Sequence, residues 1–111
     1  MAELLGTFEQ LILLAVLGLE QEAYGRAILA AVETASADQR SISAGAVYST
    51  LDRLEAKSLL SSRIEEGTPA RGGRPRRYYC LTTTGAAALS EARRTLERMW
   101  QGKRWPLEVT Q

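Results

Sequence analysis

Residues 41–57 read SISAGAVYSTLDRLEAK, and how this stretch folds decides the rest of the chain. Ser43 is a good helix N-cap, because its hydroxyl can accept a bond from an amide that the first turn leaves without an intrahelical partner. Beyond it Val47, Leu51, Leu54 and Ser58 fall at i, i+4, i+7 and i+11, a mostly apolar stripe down one side of a helix. The opposite side carries Ala46, Ser49, Thr50, Arg53 and Lys57, small or hydroxylated near the start and basic towards the end. A helix over 43–57 is ~22 Å long, enough to lie in a DNA major groove with its first turns against base edges. Gly45, lacking a side chain, lets another backbone come close. The plainer alternative is an amphipathic helix with a solvated outer face, and the flanking sequence must choose between the two.

Composition narrows the classes. A chain of 111 residues with 45% apolar content suits one globular domain. Its one long apolar run, 11–19, is too short to span a bilayer and follows no basic segment, so neither a membrane helix nor a signal peptide is expected. The single cysteine, Cys80, cannot close an internal disulfide, and a reducing cytoplasm is the natural setting. With no histidine, the chain has neither a tetrahedral zinc site nor a histidine acid or base, so no metal, no cofactor and no enzymatic activity is expected. The net charge of +1 conceals an asymmetry. Residues 1–39 hold six acidic side chains against Arg26 alone, whereas residues 40–77 hold eight basic and four acidic ones. Positive charge therefore concentrates around the central helix, where a polyanion can use it.

Downstream, residues 61–65 (SSRIE) and 76–81 (RRYYCL) read as two strands. Between them 66–75 (EGTPARGGRP) has the composition of an exposed hairpin tip. Arg71, Arg74, Arg76 and Arg77 fall on the tip and its return edge with no acid among them, and guanidinium forks suit phosphate. A solvated loop is the alternative; beside a groove-sized helix, nucleic acid is the better fit. Residues 82–100 then form a long helix opened by threonine caps, with Leu89, Ala92, Leu96, Met99 and Trp100 along one stripe. That stripe has little domain left to cover it, which points to a dimer seam. Trp100 and Trp105 are alternatively the aromatic walls of a small-molecule pocket at that seam. Residues 106–111 read as a frayed tail.

Upstream, residues 5–19 (LGTFEQLILLAVLGL) read as a first helix, with Phe8, Leu11, Ile12, Ala15 and Leu19 at helical spacing and apolar residues nearly all round. A strand is the runner-up, and an imperfect Thr7–Gln10 capping box favours the helix. Phe8, Leu11 and Ile12 are expected to meet a partner subunit together with Leu89, Leu96, Met99 and Trp100. Gln21, Glu22 and Ala23 make a polar connection to a second helix over 24–34, whose inner face is Tyr24, Ala27, Ile28, Ala31 and Val32. Gly25 inside that helix implies close packing. Residues 35–40 form a polar loop, and Ser41 with Ile42 is a candidate edge strand.

The expected fold is mainly α with a small β-hairpin: a winged helix-turn-helix over 1–81, a C-terminal dimerisation helix over 82–105 in the same compact unit, and the tail. Its residues resemble the PadR family of transcriptional regulators over about 5–89. The marks are Gly6-x-x-Glu9 before LILLAVL, Tyr24-Gly25, Ser43-x-Gly45-x-Val47-Tyr48, Leu51-x-x-Leu54-Glu55, Gly73-Arg74-Pro75-Arg76-Arg77-Tyr78-Tyr79 and Leu81-Thr82-x-x-Gly85. Each is weak alone; their order and spacing together are specific. The resemblance implies a homodimer with the third helix in the major groove, the wing on flanking phosphates, and the last helix packed on the partner's first. A single long last helix is similar to the short subgroup, some of whose members sense aromatic or cationic drugs between the subunits. Two departures stand out: Ser49 where proline is usual, which bears on how the helix meets DNA, and Cys80 where a basic residue is common.

The expected function is a cytoplasmic transcriptional repressor that binds double-stranded DNA at an inverted repeat. Tyr48, Ser49, Thr50 and Arg53 are expected to face the groove, with Ser43 and Gly45 at its entrance and Lys57 on a phosphate. Arg71, Arg74, Arg76 and Arg77 are expected to place the wing. The alternatives are a repressor sensing a small aromatic or cationic effector, and a winged helix used only for protein association.

Overall fold

In the computed structural model, which describes residues 4–36 and 42–104, the Glu9 carboxylate accepts the Gly6 N–H at 3.0 Å, and helix α1, Thr7–Leu19, begins there. The cap is thus Gly6 with Glu9. The Thr7–Gln10 box does not form, because Gln10 Nε2 donates to the Leu5 carbonyl instead. After a short 3-10 turn, Glu20–Glu22, comes Ala23, which is fully buried rather than part of a polar connection. Its carbonyl accepts the Tyr79 N–H at 2.8 Å, and Tyr24 forms an isolated bridge with Tyr78. Helix α2, Gly25–Ser36, therefore starts one residue after Tyr24. It runs through Ala35 and Ser36; the rest of the expected loop, with Ser41, lies outside the described residues, and Ile42 joins no strand.

Helix α3, Ala44–Ala56, is capped as the sequence predicts, with Ser43 Oγ accepting the Ala46 N–H at 3.0 Å. Its end differs. Ser58 is not the next residue of the apolar stripe but an exposed turn residue at φ 64°. The Ser58 N–H bonds to the Glu55 carbonyl and the Leu59 N–H to the Leu54 carbonyl, both at 2.9 Å. That pair of bonds is the left-handed helix stop usually built on glycine. It turns the chain into strand β1, Leu60–Glu65, which pairs antiparallel with β2, Arg76–Leu81, from Leu60 opposite Leu81 to Glu65 opposite Arg76.

The core lies where the three helices meet the base of this hairpin. Ile12, Leu13 and Val16 from α1, Ile28 and Val32 from α2, and Val47, Leu51 and Leu54 from α3 pack with Leu59, Leu60 and Tyr79. Helix α4, Thr83–Trp100, leaves this base through Thr82, whose hydroxyl accepts the Gly85 N–H at 2.9 Å and donates to the Ser58 carbonyl at 2.7 Å. A Cβ at Gly85 would overlap the Leu59 carbonyl, so glycine sets how closely α4 approaches the α3–β1 corner. The tail over 106–111 and Trp105 lie outside the described residues.

Candidate nucleic-acid interface

The stripe Val47, Leu51 and Leu54 is wholly buried, and this turns Gly45, Tyr48, Ser49, Asp52, Arg53 and Lys57 outward along α3. Thr50 does not belong to that face. It lies three residues after Val47 and four before Leu54, on the buried side, and is only 3% exposed. Asp52 takes its place, an acid on a face expected to be basic. Ser43 is exposed at the start of the helix, its hydroxyl engaged in the cap. Ser49 Oγ donates back to the Ala46 carbonyl at 3.3 Å.

The glycines here do different work. A Cβ at Gly25 would overlap the ring of Tyr48, so the start of α2 holds Tyr48 in place. A Cβ at Gly45 would meet nothing within 4 Å, so the fold makes no demand for glycine there and the bare backbone faces outward.

Between α3 and the hairpin opens a cleft of about 670 Å³. The helices contribute Arg26, Tyr48 and Asp52; the hairpin contributes Arg71, Arg74, Arg76 and Arg77. These arginines are not equivalent. Arg76 stacks 3.8 Å above the ring of Tyr24, which meets Tyr78 edge-on at 5.6 Å, and Arg63 covers Tyr78 at 5.0 Å. Arg77 donates to Ser62 Oγ at 2.8 Å, and Ser62 donates to the Glu55 carboxylate at 2.6 Å, so α3 grips both strands. Arg71 donates to the Glu66 carbonyl at 2.6 Å inside the tip, where a 3-10 turn, Pro69–Arg71, shapes the loop. Arg26 and Arg74 form no side-chain hydrogen bond or ion pair among the described residues. Arg26, Asp52 and Tyr24 escape a reading based on runs of charge, because each is a single residue that only folding brings to the cleft.

On the far side α1 and α4 form an apolar groove of about 580 Å³. Leu14 and Leu17 from α1 and Leu96 and Trp100 from α4 line it, each about half exposed. Met99 is 64% exposed nearby on α4. Ile12, expected to meet a partner, is 0% exposed because it belongs to the core, and Phe8, Leu11 and Leu89 are half-buried against it. The α1 face that remains uncovered is Leu14 and Leu17.

Three helices, a two-stranded wing and an outward third helix beside an arginine-lined cleft define a winged helix-turn-helix protein. Residues 13–91 match the model of the transcriptional regulator PadR-like family, and the chain belongs to that family of regulators, not to a family of enzymes. It is 47% identical over 60 residues to the transcriptional regulator Rv3488 of Mycobacterium tuberculosis, covering 52% of this chain and 50% of that one. The chain thus spans about half the length of this curated relative. A PadR-like transcription factor of Bacteroides fragilis superposes with a TM-score of 0.68 at 32% identity, over 85% of this chain and 84% of that one. A PadR family regulator of Eggerthella lenta does so with a TM-score of 0.63 at 29% identity, over 84% and 77%. Among the described residues no helix is long and apolar enough to cross a membrane.

Proposed function

We propose that this PadR-family regulator is a cytoplasmic repressor that binds double-stranded DNA as a homodimer. The observation that carries the reading is the outward α3 face, with bare backbone at Gly45 and Arg53 and Lys57 at its end, opening into a cleft flanked by Arg26 and Arg74. Tyr48, Ser49 and Arg53 read bases, Asp52 rejects some of them, and Lys57, Arg26 and Arg74 meet phosphates. Phosphate contacts set register and affinity, whereas base contacts set sequence. Pairing through the exposed Leu14, Leu17, Leu96, Met99 and Trp100 gives two copies of α3 related by a two-fold axis.

Selection of bound duplexes from a random pool tests this. An inverted repeat with half-site centres about ten base pairs apart is expected, since two recognition helices on one face are about one turn apart. Failure to enrich any duplex, even at low salt, overturns the reading and leaves a winged helix used for protein association. A second reading has support from Trp100, which lines the apolar α1–α4 groove at 47% exposure: a planar aromatic or cationic effector bound there. Quenching of tryptophan emission by planar cations, at concentrations that also release DNA, tests it.

A further inference from the structure

Glu9 does more than cap α1. Its side chain is 15% exposed and faces α3, where Lys57 Nζ lies 3.3 Å and Arg53 Nε 4.0 Å from the same oxygen, Oε2. The other oxygen, Oε1, accepts the Gly6 N–H. One carboxylate thus joins the start of the first helix to both basic side chains on the outward face of the third. The two cations are 53% and 37% exposed, so they remain reachable from outside while the anion beneath them is shielded.

We propose that Glu9 is a specificity-determining residue, a carboxylate that stands in for a DNA phosphate and holds Arg53 and Lys57 back from random sequence. The inference rests on the DNA-binding role proposed above. On a random duplex, the gain from placing either cation on a phosphate is reduced by its existing attraction to Glu9. On the correct operator, Arg53 gains from a base edge as well. Its Nε lies 4.0 Å from Glu9 Oε2, an attraction that opposes its swing towards the nearest phosphate. The carboxylate therefore lowers non-specific affinity more than specific affinity, and the ratio between them rises.

The variant Glu9→Gln isolates this effect, because the amide oxygen can still accept the Gly6 N–H while the charge is gone. The measurement is affinity of the full chain for the duplex recovered by selection and for a random duplex of equal length. Random-duplex affinity should rise roughly fivefold, the scale of one exposed ion pair. Operator affinity should rise by less than this, so that the ratio of operator to random affinity falls, and the difference between variant and wild type should shrink as salt screens it. In a background carrying Arg53→Gln and Lys57→Gln, Glu9→Gln should leave the ratio unchanged. An unchanged ratio in the single variant, or loss of both affinities together with helix content, would mean that Glu9 only caps α1 and would overturn the proposal. Wild-type protein that selects no duplex would overturn the DNA-binding role and this inference together.

Discussion

The guanidinium of Arg76 lies 3.8 Å above the ring of Tyr24, and this contact fastens strand β2 of the wing to the start of the second helix. The neighbouring Tyr24–Tyr78 bridge and the Ala23–Tyr79 hydrogen bond tie the same strand through its backbone. Arg76 is therefore a structural cation, while Arg74, two residues earlier, reaches out from the tip. A basic cluster that looks uniform in sequence divides into wing anchors and exposed contacts.

Arg76→Gln should lower the urea midpoint, through loss of the cation–π contact with Tyr24, with little change in salt dependence. Arg74→Gln should leave stability untouched and reduce the slope of log affinity against log salt by roughly 0.9. Urea unfolding and a salt titration on one DNA duplex separate the two. Equal slopes for both variants would mean that Arg76 leaves Tyr24 to meet a phosphate.

Three glycine-to-alanine variants should behave in three ways. Gly45→Ala should be neutral or raise stability by up to about 1 kcal/mol, from helix propensity, while operator affinity falls because a methyl now stands on the outward face. Gly25→Ala should displace the Tyr48 ring, a movable side-chain end, and reduce operator affinity with little loss of stability. Gly85→Ala meets the Leu59 carbonyl and should cost about 1–3 kcal/mol, as overpacking does. Thermal unfolding and binding to the operator rank all three.

Ser58→Gly should stabilise the protein by about 0.5–1 kcal/mol. Serine at φ 64° carries left-handed backbone strain that glycine escapes, less the entropy glycine loses on folding. A lower urea midpoint for Ser58→Gly would refute this account of the helix stop.

Glu9 gives stability a pH dependence of known sign. The Gly6 N–H bond first, and Lys57 and Arg53 after it, hold its carboxyl below the ordinary value of 4.5 against the opposing effect of burial. Glu91 is also held low, by Arg94 and then Arg98, on an exposed helix surface. For a carboxylate depressed in the folded state, the stabilising contribution is present in full above its unfolded value. It is lost as pH falls through the folded value. Unfolding midpoints should therefore decline below pH 4.5, and less steeply in Glu9→Gln than in wild type.

Leu14→Asp combined with Leu17→Asp should give a folded monomer with weak operator binding, since both side chains are about half exposed and neither supports the core. Sedimentation at several concentrations checks this. A variant that still sediments as the wild type does would place the interface away from the α1–α4 groove.

The elements themselves were legible in the sequence because each rests on local chemistry. Ser43 caps its own third amide, the Val47–Leu51–Leu54 spacing selects one helical face, and a glycine- and proline-rich tip between two β-rich runs makes a hairpin. The same spacing, applied to Thr50, places it on the buried face; its hydroxyl had suggested the wrong side. The role of Ile12 was not legible, because α1 is apolar nearly all round and its own periodicity does not say which stripe the other helices cover. Packing against Ile28 and Leu51 in the core decides that, and leaves Leu14 and Leu17 outside. The division among the arginines is also tertiary. Arg76 and Arg77 are adjacent in the chain, yet strand alternation sends one to Tyr24 and the other to Ser62, a distinction of faces that composition does not contain. Glu9 and Lys57 are 48 residues apart, and only the crossing of α1 and α3 turns an ordinary cap residue into the counter-charge of the outward face.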